Sequence, residues 1–188
     1  SRKVLMRIIG GRLKGKTILP PNGFAARPTT DFAKEALFNI LDNEYEFDDL
    51  KVLDLFAGTG SISFEFVSRG AGHVWCVEMN PQNAAFISSQ ARALGVVRNI
   101  TVVRHNVFEF LPICKEKFDI VFADPPYAIE DLQTIPDKVL AQNIIHPGGY
   151  FILEHGGEHD FSGHRLFLKE KAYGRVHFSF FEMPQESE

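Results

Sequence analysis

Cysteine is scarce in this chain. Cys76 and Cys114 are the only two among 188 residues, too few to staple a disulfide framework. Long apolar runs are missing as well, since stretches such as 120–123 and 150–153 stop at about four residues, far short of the ~20 needed to cross a bilayer. No bilayer span is expected. The N-terminal stretch is polar and basic, without the apolar segment of a secretory signal. These absences together predict a reduced, cytoplasmic protein, and nothing in the composition calls for more than a monomer. Glycine (15) and proline (10) stay below low-complexity levels, while 45% hydrophobic residues and 18 phenylalanines supply ample core material, which excludes disorder.

Acid is missing from one region only. Residues 1–30 hold seven of the 20 basic residues (Arg2, Lys3, Arg7, Arg12, Lys14, Lys16, Arg27) and none of the 24 acids, so the remaining chain carries 13 bases against 24 acids. The modest net charge of −4 hides a polarised molecule. A glycine-punctuated basic arm on an acidic body suits a polyanion, because each phosphate neutralised releases counterions. A plain solvated basic terminus would look the same on charge alone, so other residues must decide. Two regions are expected: a basic arm or hairpin over 1–28 and a main domain over 29–188.

From Lys51 onward, short β-rich runs alternate with helical stretches, the pattern of a parallel sheet covered on both faces. Strands are expected at 51–55, 73–78, 100–104, 118–123 and 149–154. Between them Ala84, Ile87, Ala91 and Leu94 repeat at helical spacing, as do Ile62 and Phe66, and Pro136 suits the first turn of another helix. Alternation of Val176, Phe178 and Phe180 with polar residues, after a Tyr173-Gly174 turn, reads as an antiparallel hairpin closing the sheet. Ahead of the sheet, Thr29-Thr30-Asp31 offers a cap to a helix carrying Ala33, Leu37, Ile40 and Leu41 on one face. Before that, 7–12 and 16–19 look like a short basic hairpin, with Pro20-Pro21-Asn22-Gly23 as its exit loop.

Val52-Leu53-Asp54-Leu55-Phe56-Ala57-Gly58-Thr59-Gly60 is a buried strand running into a glycine turn at a helix start. Two glycines let the backbone approach a ligand closely, and Glu78, at the end of the next strand, is placed to accept both hydroxyls of a ribose. The third glycine of a dinucleotide signature is replaced by Ser63, which weakens a pyrophosphate reading and leaves a nucleoside site. Asp54, just before the turn, suits a cationic ligand end better than a phosphate.

Asp124-Pro125-Pro126-Tyr127 follows the apolar strand 118–123. In an open α/β sheet that carboxyl-end position faces the ligand crevice. The two prolines fix a rigid extended loop. An exocyclic amine on a nucleobase is a poor nucleophile because its lone pair is delocalised into the ring. Hydrogen bonds from the amine to the Asp124 carboxylate and the Pro125 carbonyl would favour a pyramidal nitrogen whose lone pair faces an electrophilic methyl. Tyr127 can stack on an extruded base, a contact worth ~1–3 kcal/mol.

At these residues the chain resembles the class I S-adenosylmethionine-dependent methyltransferases that act on amino nitrogens. Arg27-Pro28-Thr29-Thr30-Asp31, Lys34-Glu35-Ala36-Leu37-Phe38-Asn39, Asp54 to Gly60, Ser68-Arg69-Gly70-Ala71, Asp124 to Tyr127 and the arm from Arg7 to Ile18 resemble the bacterial 16S ribosomal RNA (guanine-N2) methyltransferase family. The resemblance spans about 6–181. It implies a Rossmann-like α/β sheet of seven strands with a reversed last strand, S-adenosylmethionine over the carboxyl ends (S-adenosylhomocysteine as product), and a guanine of the small ribosomal subunit as substrate. Under it, Asp54, Phe56, Gly58, Gly60 and Glu78 hold the cofactor, Asp124, Pro125, Pro126 and Tyr127 form the catalytic loop, and Arg7, Arg12, Lys14, Lys16 and Arg27 grip RNA.

One position departs from the family. Asn106 stands where an acid usually reads the adenine of the cofactor; its amide oxygen could accept from adenine N6, or the residue could simply cap a helix. His146-Pro147-Gly148-Gly149 reads as a turn before the fifth strand. His155, Glu158 and His159 have a metal-like spacing, but Gly156-Gly157 argues against the helix it would need, so no metal is expected. The nearest alternatives are a DNA or RNA adenine-N6 methyltransferase, which would share the tetrapeptide, and a non-catalytic RNA-binding module with a relic pocket. A glutamine-modifying methyltransferase would want Asn at position 124.

Overall fold

The computed structural model describes residues 6–20 and 29–186. In chain order it contains β1 (Met6–Arg7), β2 (Thr17–Ile18), α1 (Asp31–Glu44), β3 (Lys51–Leu55), α2 (Ser61–Ser68), β4 (His73–Val77), α3 (Pro81–Ala93), β5 (Ile100–Val103) and α4 (Val107–Phe110). It continues through β6 (Phe118–Ala123), α5 (Ile135–Leu140), β7 (Ile145–His155), β8 (Phe167–Tyr173) and β9 (Val176–Glu182). The main sheet has the order β5-β4-β3-β6-β7-β9-β8. Its first five strands run parallel, and β9 lies antiparallel between β7 and β8. This is the Rossmann-like sheet with a reversed last strand that the resemblance implies.

Period-two alternation decides which face each strand residue occupies. Val52, Ile120, Phe122, Ile152, Phe178 and Phe180 enter a core shared with α1, α2 and α3. Leu53, Leu55, Val121, Ala123, Phe151, Leu153 and Phe181 enter a second core, beneath α4 and α5. A fully buried Phe contributes ~1.5–3 kcal/mol relative to exposure, so the aromatic-rich middle strands anchor both layers. Asp54 belongs with Val52 on the first face, and Glu154 belongs there with Ile152.

Three local findings revise the sequence reading. First, β7 begins at Ile145 rather than 149, because His146-Pro147-Gly148-Gly149 is absorbed as a bulge. Phe118 pairs with Ile145, Ile120 already pairs with Tyr150, and Gly148 takes a positive φ of 77°. Second, the cap of α1 is Thr30, whose hydroxyl accepts from the Ala33 amide at 3.2 Å, which releases Thr29 for another partner. Third, the β1–β2 hairpin is sewn onto α2. Met6, Ile8, Leu13 and Ile18 are buried in the first core. The Ile9 and Gly10 amides donate to the two oxygens of the Glu65 carboxylate at 2.9 Å each, and Ser68 Oγ donates to the Gly10 carbonyl at 2.6 Å. Glu65 is fully buried and is completed by Lys34, 2% exposed, at 3.5 Å and by Arg69 at 2.9 Å. Most of the expected exit loop, and Arg27 with it, lie outside the described residues.

Candidate functional site

The carboxyl ends of β3, β4, β6 and β7 meet along one edge of the sheet, where helices and loops leave on alternate faces and a crevice opens. The chain leaves β3 through Phe56, whose φ of 57° is an outlier for an aromatic residue, and whose ring meets Phe108 edge-on at 5.9 Å. Gly58 and Gly60 also have positive φ, 59° and 82°. A Cβ on Gly60 would press to 2.9 Å from the Phe64 ring, so glycine is required there. The turn is pinned from outside by Glu78, which accepts the Gly58 amide at 2.8 Å with one oxygen and the Asn80 amide at 3.1 Å with the other. From the arm side, Thr59 Oγ1 donates to the Met6 sulfur at 2.8 Å.

Asp54 lies under this turn at 2% exposure. Ser63, at the place of the missing third glycine, donates to Asp54 Oδ2 at 2.7 Å. Burial pushes the Asp54 carboxyl up to about 7 against the pull of that hydrogen bond, with the nearby Glu78 charge adding to the rise. Above it, α2 begins at Gly60 with no side-chain cap; the Ser63 amide is taken by Asp54, while the Ser61 and Ile62 amides have no acceptor among the described residues and lie at the positive end of the helix dipole. An acid beneath and helix amides beside it fit the ammonium and carboxylate of an amino-acid moiety, and Glu78 stands where a ribose would follow. The residues therefore fit S-adenosylmethionine. Asn106 is committed otherwise: its Oδ1, the atom that would accept from an adenine, takes the Phe108 and Glu109 amides at 2.9 and 3.3 Å, capping α4. Its Nδ2 faces the Met79 sulfur at 3.5 Å.

Beside the turn, Asp124 leaves the end of β6. Ala123 pairs in register with Leu153, so Asp124 and Glu154 are the next neighbours on adjacent parallel strands, on the same face as Asp54. Asp124 and Glu154 are hydrogen-bonding neighbours, and two buried carboxyls this close hold a proton between them. Burial, then the Glu154 charge, hold the Asp124 carboxyl well above the usual carboxylate range. Burial also raises Glu154, while the hydroxyl of Thr29, donating to Oε1 at 2.6 Å, opposes the rise. Neither Glu154 nor this use of Thr29 was evident in the sequence; the available signal was an acid at the carboxyl end of an apolar strand, which carries weight only once strand order is known.

The loop after Asp124 is arranged for a ligand. The Pro126 carbonyl accepts the Ile129 amide at 3.0 Å, whereas the Pro125 carbonyl has no hydrogen-bond partner among the described residues. Tyr127 is 99% exposed with no ring partner among the described residues, an unusual placement for an aromatic side chain unless something stacks on it. The basic residues of the hairpin divide. Arg7 is ion-paired with Asp31 at 2.9 Å; Arg12, Lys14 and Lys16 are exposed and make no ion pair among the described residues. Of the residues with metal-like spacing, His155 is bonded to Ser179 Oγ and the Gly156 carbonyl, each at 2.7 Å. No helix among the described residues is long and apolar enough to cross a membrane.

Comparison with known proteins agrees with this geometry. The profile described as conserved hypothetical protein 95 matches residues 6–182. A protein of Buchnera aphidicola named ribosomal RNA small subunit methyltransferase D is 27% identical over 187 residues, covering 96% of this chain and 93% of its own. The protein of the same name from Escherichia coli K12 is 36% identical over 124 residues, covering 65% of this chain and 60% of its own. A solved structure of a hypothetical protein from Thermus thermophilus superposes with a TM-score of 0.84 at 30% identity, covering 95% of this chain and 99% of that one. Methyltransferases solved with S-adenosylhomocysteine bound share the fold at 16% and 15% identity. The chain thus belongs to the conserved hypothetical protein 95 family, the class I S-adenosylmethionine-dependent methyltransferases to which the small-subunit methyltransferase D proteins are assigned.

Proposed function

We propose that this protein transfers a methyl group from S-adenosylmethionine to the exocyclic N2 amine of a guanine in 16S ribosomal RNA. The carrying observation is the pairing, beside the glycine turn, of the Asp124 carboxyl with a Pro125 carbonyl that has no partner among the described residues, on the loop that carries the exposed Tyr127. The two oxygens accept the two N–H bonds of an amine, while the ring of Tyr127 holds the base it belongs to. Guanine N2 lies on the Watson–Crick edge, so the base must be unpaired or flipped to reach this loop.

The cofactor supplies an electrophilic methyl: as the N–C bond forms, the C–S bond breaks and its electron pair stays on sulfur, leaving a neutral thioether. Catalysis by the chain is mostly positioning. Asp124, once ionised, orients the amine and is the nearest base for the proton that the methylated nitrogen sheds. Asp54, Gly58, Gly60 and Glu78 hold the cofactor, with Phe56 as a wall, and Arg12, Lys14 and Lys16 meet RNA phosphates. The names of the curated relatives support the rRNA substrate; the choice of guanine N2 rests on the motif resemblance.

Labelled S-adenosylmethionine with small-subunit particles from a strain lacking this protein should yield N2-methylguanosine on digestion. Label recovered only in methyladenosine, DNA or protein overturns the substrate while leaving a methyltransferase.

A further inference from the structure

We propose that Glu154 determines the base: with Asp124 and the Pro125 carbonyl it completes a row of three hydrogen-bond acceptors that reads the N1–H and N2–H2 donors of guanine. The inference rests on the guanine-N2 reading above and names the group that would enforce it.

The chemistry of the edges makes the assignment specific. Adenine presents an amine beside an N1 acceptor, and cytosine an amine beside an N3 acceptor. Guanine alone places a ring N–H next to its amine, giving three donors in a row. The wall beside the glycine turn is made of acceptors. Asp124 and Glu154 sit at successive register positions of β6 and β7 and within hydrogen-bonding distance of one another, as two oxygens meeting adjacent N–H groups must. Pro125 adds a carbonyl with no intramolecular partner among the described residues. Without a ligand the two carboxyls resolve their repulsion by sharing a proton. A guanine edge supplies donors to both, so that proton is released to solvent on binding; an adenine or cytosine edge would leave a ring lone pair facing a carboxylate.

Thr29 gives Glu154 its aim. The hydroxyl is buried and holds Oε1 at 2.6 Å, one residue before the cap of α1, so the glutamate is fixed from a second element rather than free to swing away. Exposed Tyr127, on the loop leaving Asp124, is an independent sign that a planar ligand is received here.

2-Aminopurine separates the two donors, because it keeps the N2 amine but replaces N1–H by a lone pair. The methylated nucleotide is first mapped in 16S rRNA, and small-subunit RNA carrying 2-aminopurine at that position is then prepared by ligation. Wild-type protein should favour guanine over 2-aminopurine by at least ~10²-fold in kcat/KM, since a site built around a donor rejects the analogue lacking it. Glu154→Gln, which can donate to a ring lone pair, should shrink that preference by about tenfold or more, while binding of S-adenosylhomocysteine is retained. Equal preference ratios in wild type and variant overturn the assignment of Glu154. Equal rates on guanine and 2-aminopurine in the wild type overturn it without any variant, should Glu154→Gln fail to fold. Absence of N2-methylguanosine from every wild-type reaction is a different failure, that of the reading on which the inference rests.

Discussion

Two groups of buried acid lie on the same face of the sheet, and they are treated oppositely. Glu65 is fully buried, yet every oxygen has donors: two backbone amides from the hairpin, the Arg69 guanidinium and the Lys34 ammonium. Asp54, Asp124 and Glu154 have the Ser63 and Thr29 hydroxyls and the Ser63 amide as donors and no cation within salt-bridge distance among the described residues. Unpaired burial raises all three carboxyls. A buried charge that is matched holds structure together; one left unmatched stores a cost that a ligand can remove. The first group therefore fastens arm to body, and under the proposed function the second receives a cation and an amine.

Breaking each group should have opposite consequences. The largest effect is expected for Asp124→Ala, which should lower methyl transfer by ~10²–10³-fold or more, the loss typical of one oriented polar group at a reacting centre. Affinity for S-adenosylmethionine should stay largely intact in calorimetry; near-wild-type turnover would show that Asp124 does not orient the amine. Next, Lys34→Met removes a buried partner of Glu65 and should cost about 3 kcal/mol of stability in denaturant titration. A loss below about 1 kcal/mol would mean that Arg69 and the two amides satisfy Glu65 alone.

Asp54→Asn should do the reverse and stabilise the ligand-free protein at alkaline pH. The carboxyl of Asp54 is raised to about 7 in the fold, above its ordinary ~3.9. The native state therefore binds the proton more tightly, and stability drains away as pH climbs from about 4 through 7. The variant should be more stable than wild type at pH 8, by up to about 4 kcal/mol in denaturant titration, and the gap should close toward pH 4. Cofactor binding by the wild type should release a proton near pH 7, visible as a dependence of binding enthalpy on the buffer; no release would remove the cationic end of the ligand from this carboxyl.

The smallest effect concerns the arm. Replacing Arg12, Lys14 and Lys16 by Ala should flatten the dependence of RNA affinity on log salt by up to ~0.7 per lost single-strand contact. Adding Arg7→Ala should change it less, because Arg7 already pairs with Asp31. Unchanged slopes would make the hairpin a fastening and nothing more.

Much of this architecture is legible along the chain. The strands at 51–55 and 118–123 and the turn after Asp54 declare themselves by local patterns of apolar runs, glycines and prolines, because each is decided within a few residues. What stays hidden depends on pairing across distance. Glu154 belongs to no motif, and becomes Asp124's neighbour only because β6 and β7 align at Ala123 and Leu153. Lys34 falls on the apolar face of α1, where a charge looks misplaced until Glu65 is brought beneath it. The arm reads as basic because its charges are conspicuous, while the four apolar side chains that dock it are spread at Met6, Ile8, Leu13 and Ile18 with no regular period. Asn106 fitted two roles equally well, and the geometry around α4 uses its oxygen as a cap.

Phe56 carries a consequence for anyone improving this protein. Its left-handed backbone costs of order 1–3 kcal/mol in a bulky residue, and glycine would relieve that strain. Phe56→Gly would also remove the ring, which packs against the second core and stands edge-on to Phe108 beside the ligand turn, so the packing lost offsets the strain relieved. At this position the fold tolerates a strained backbone because the same ring serves both the core and the crevice.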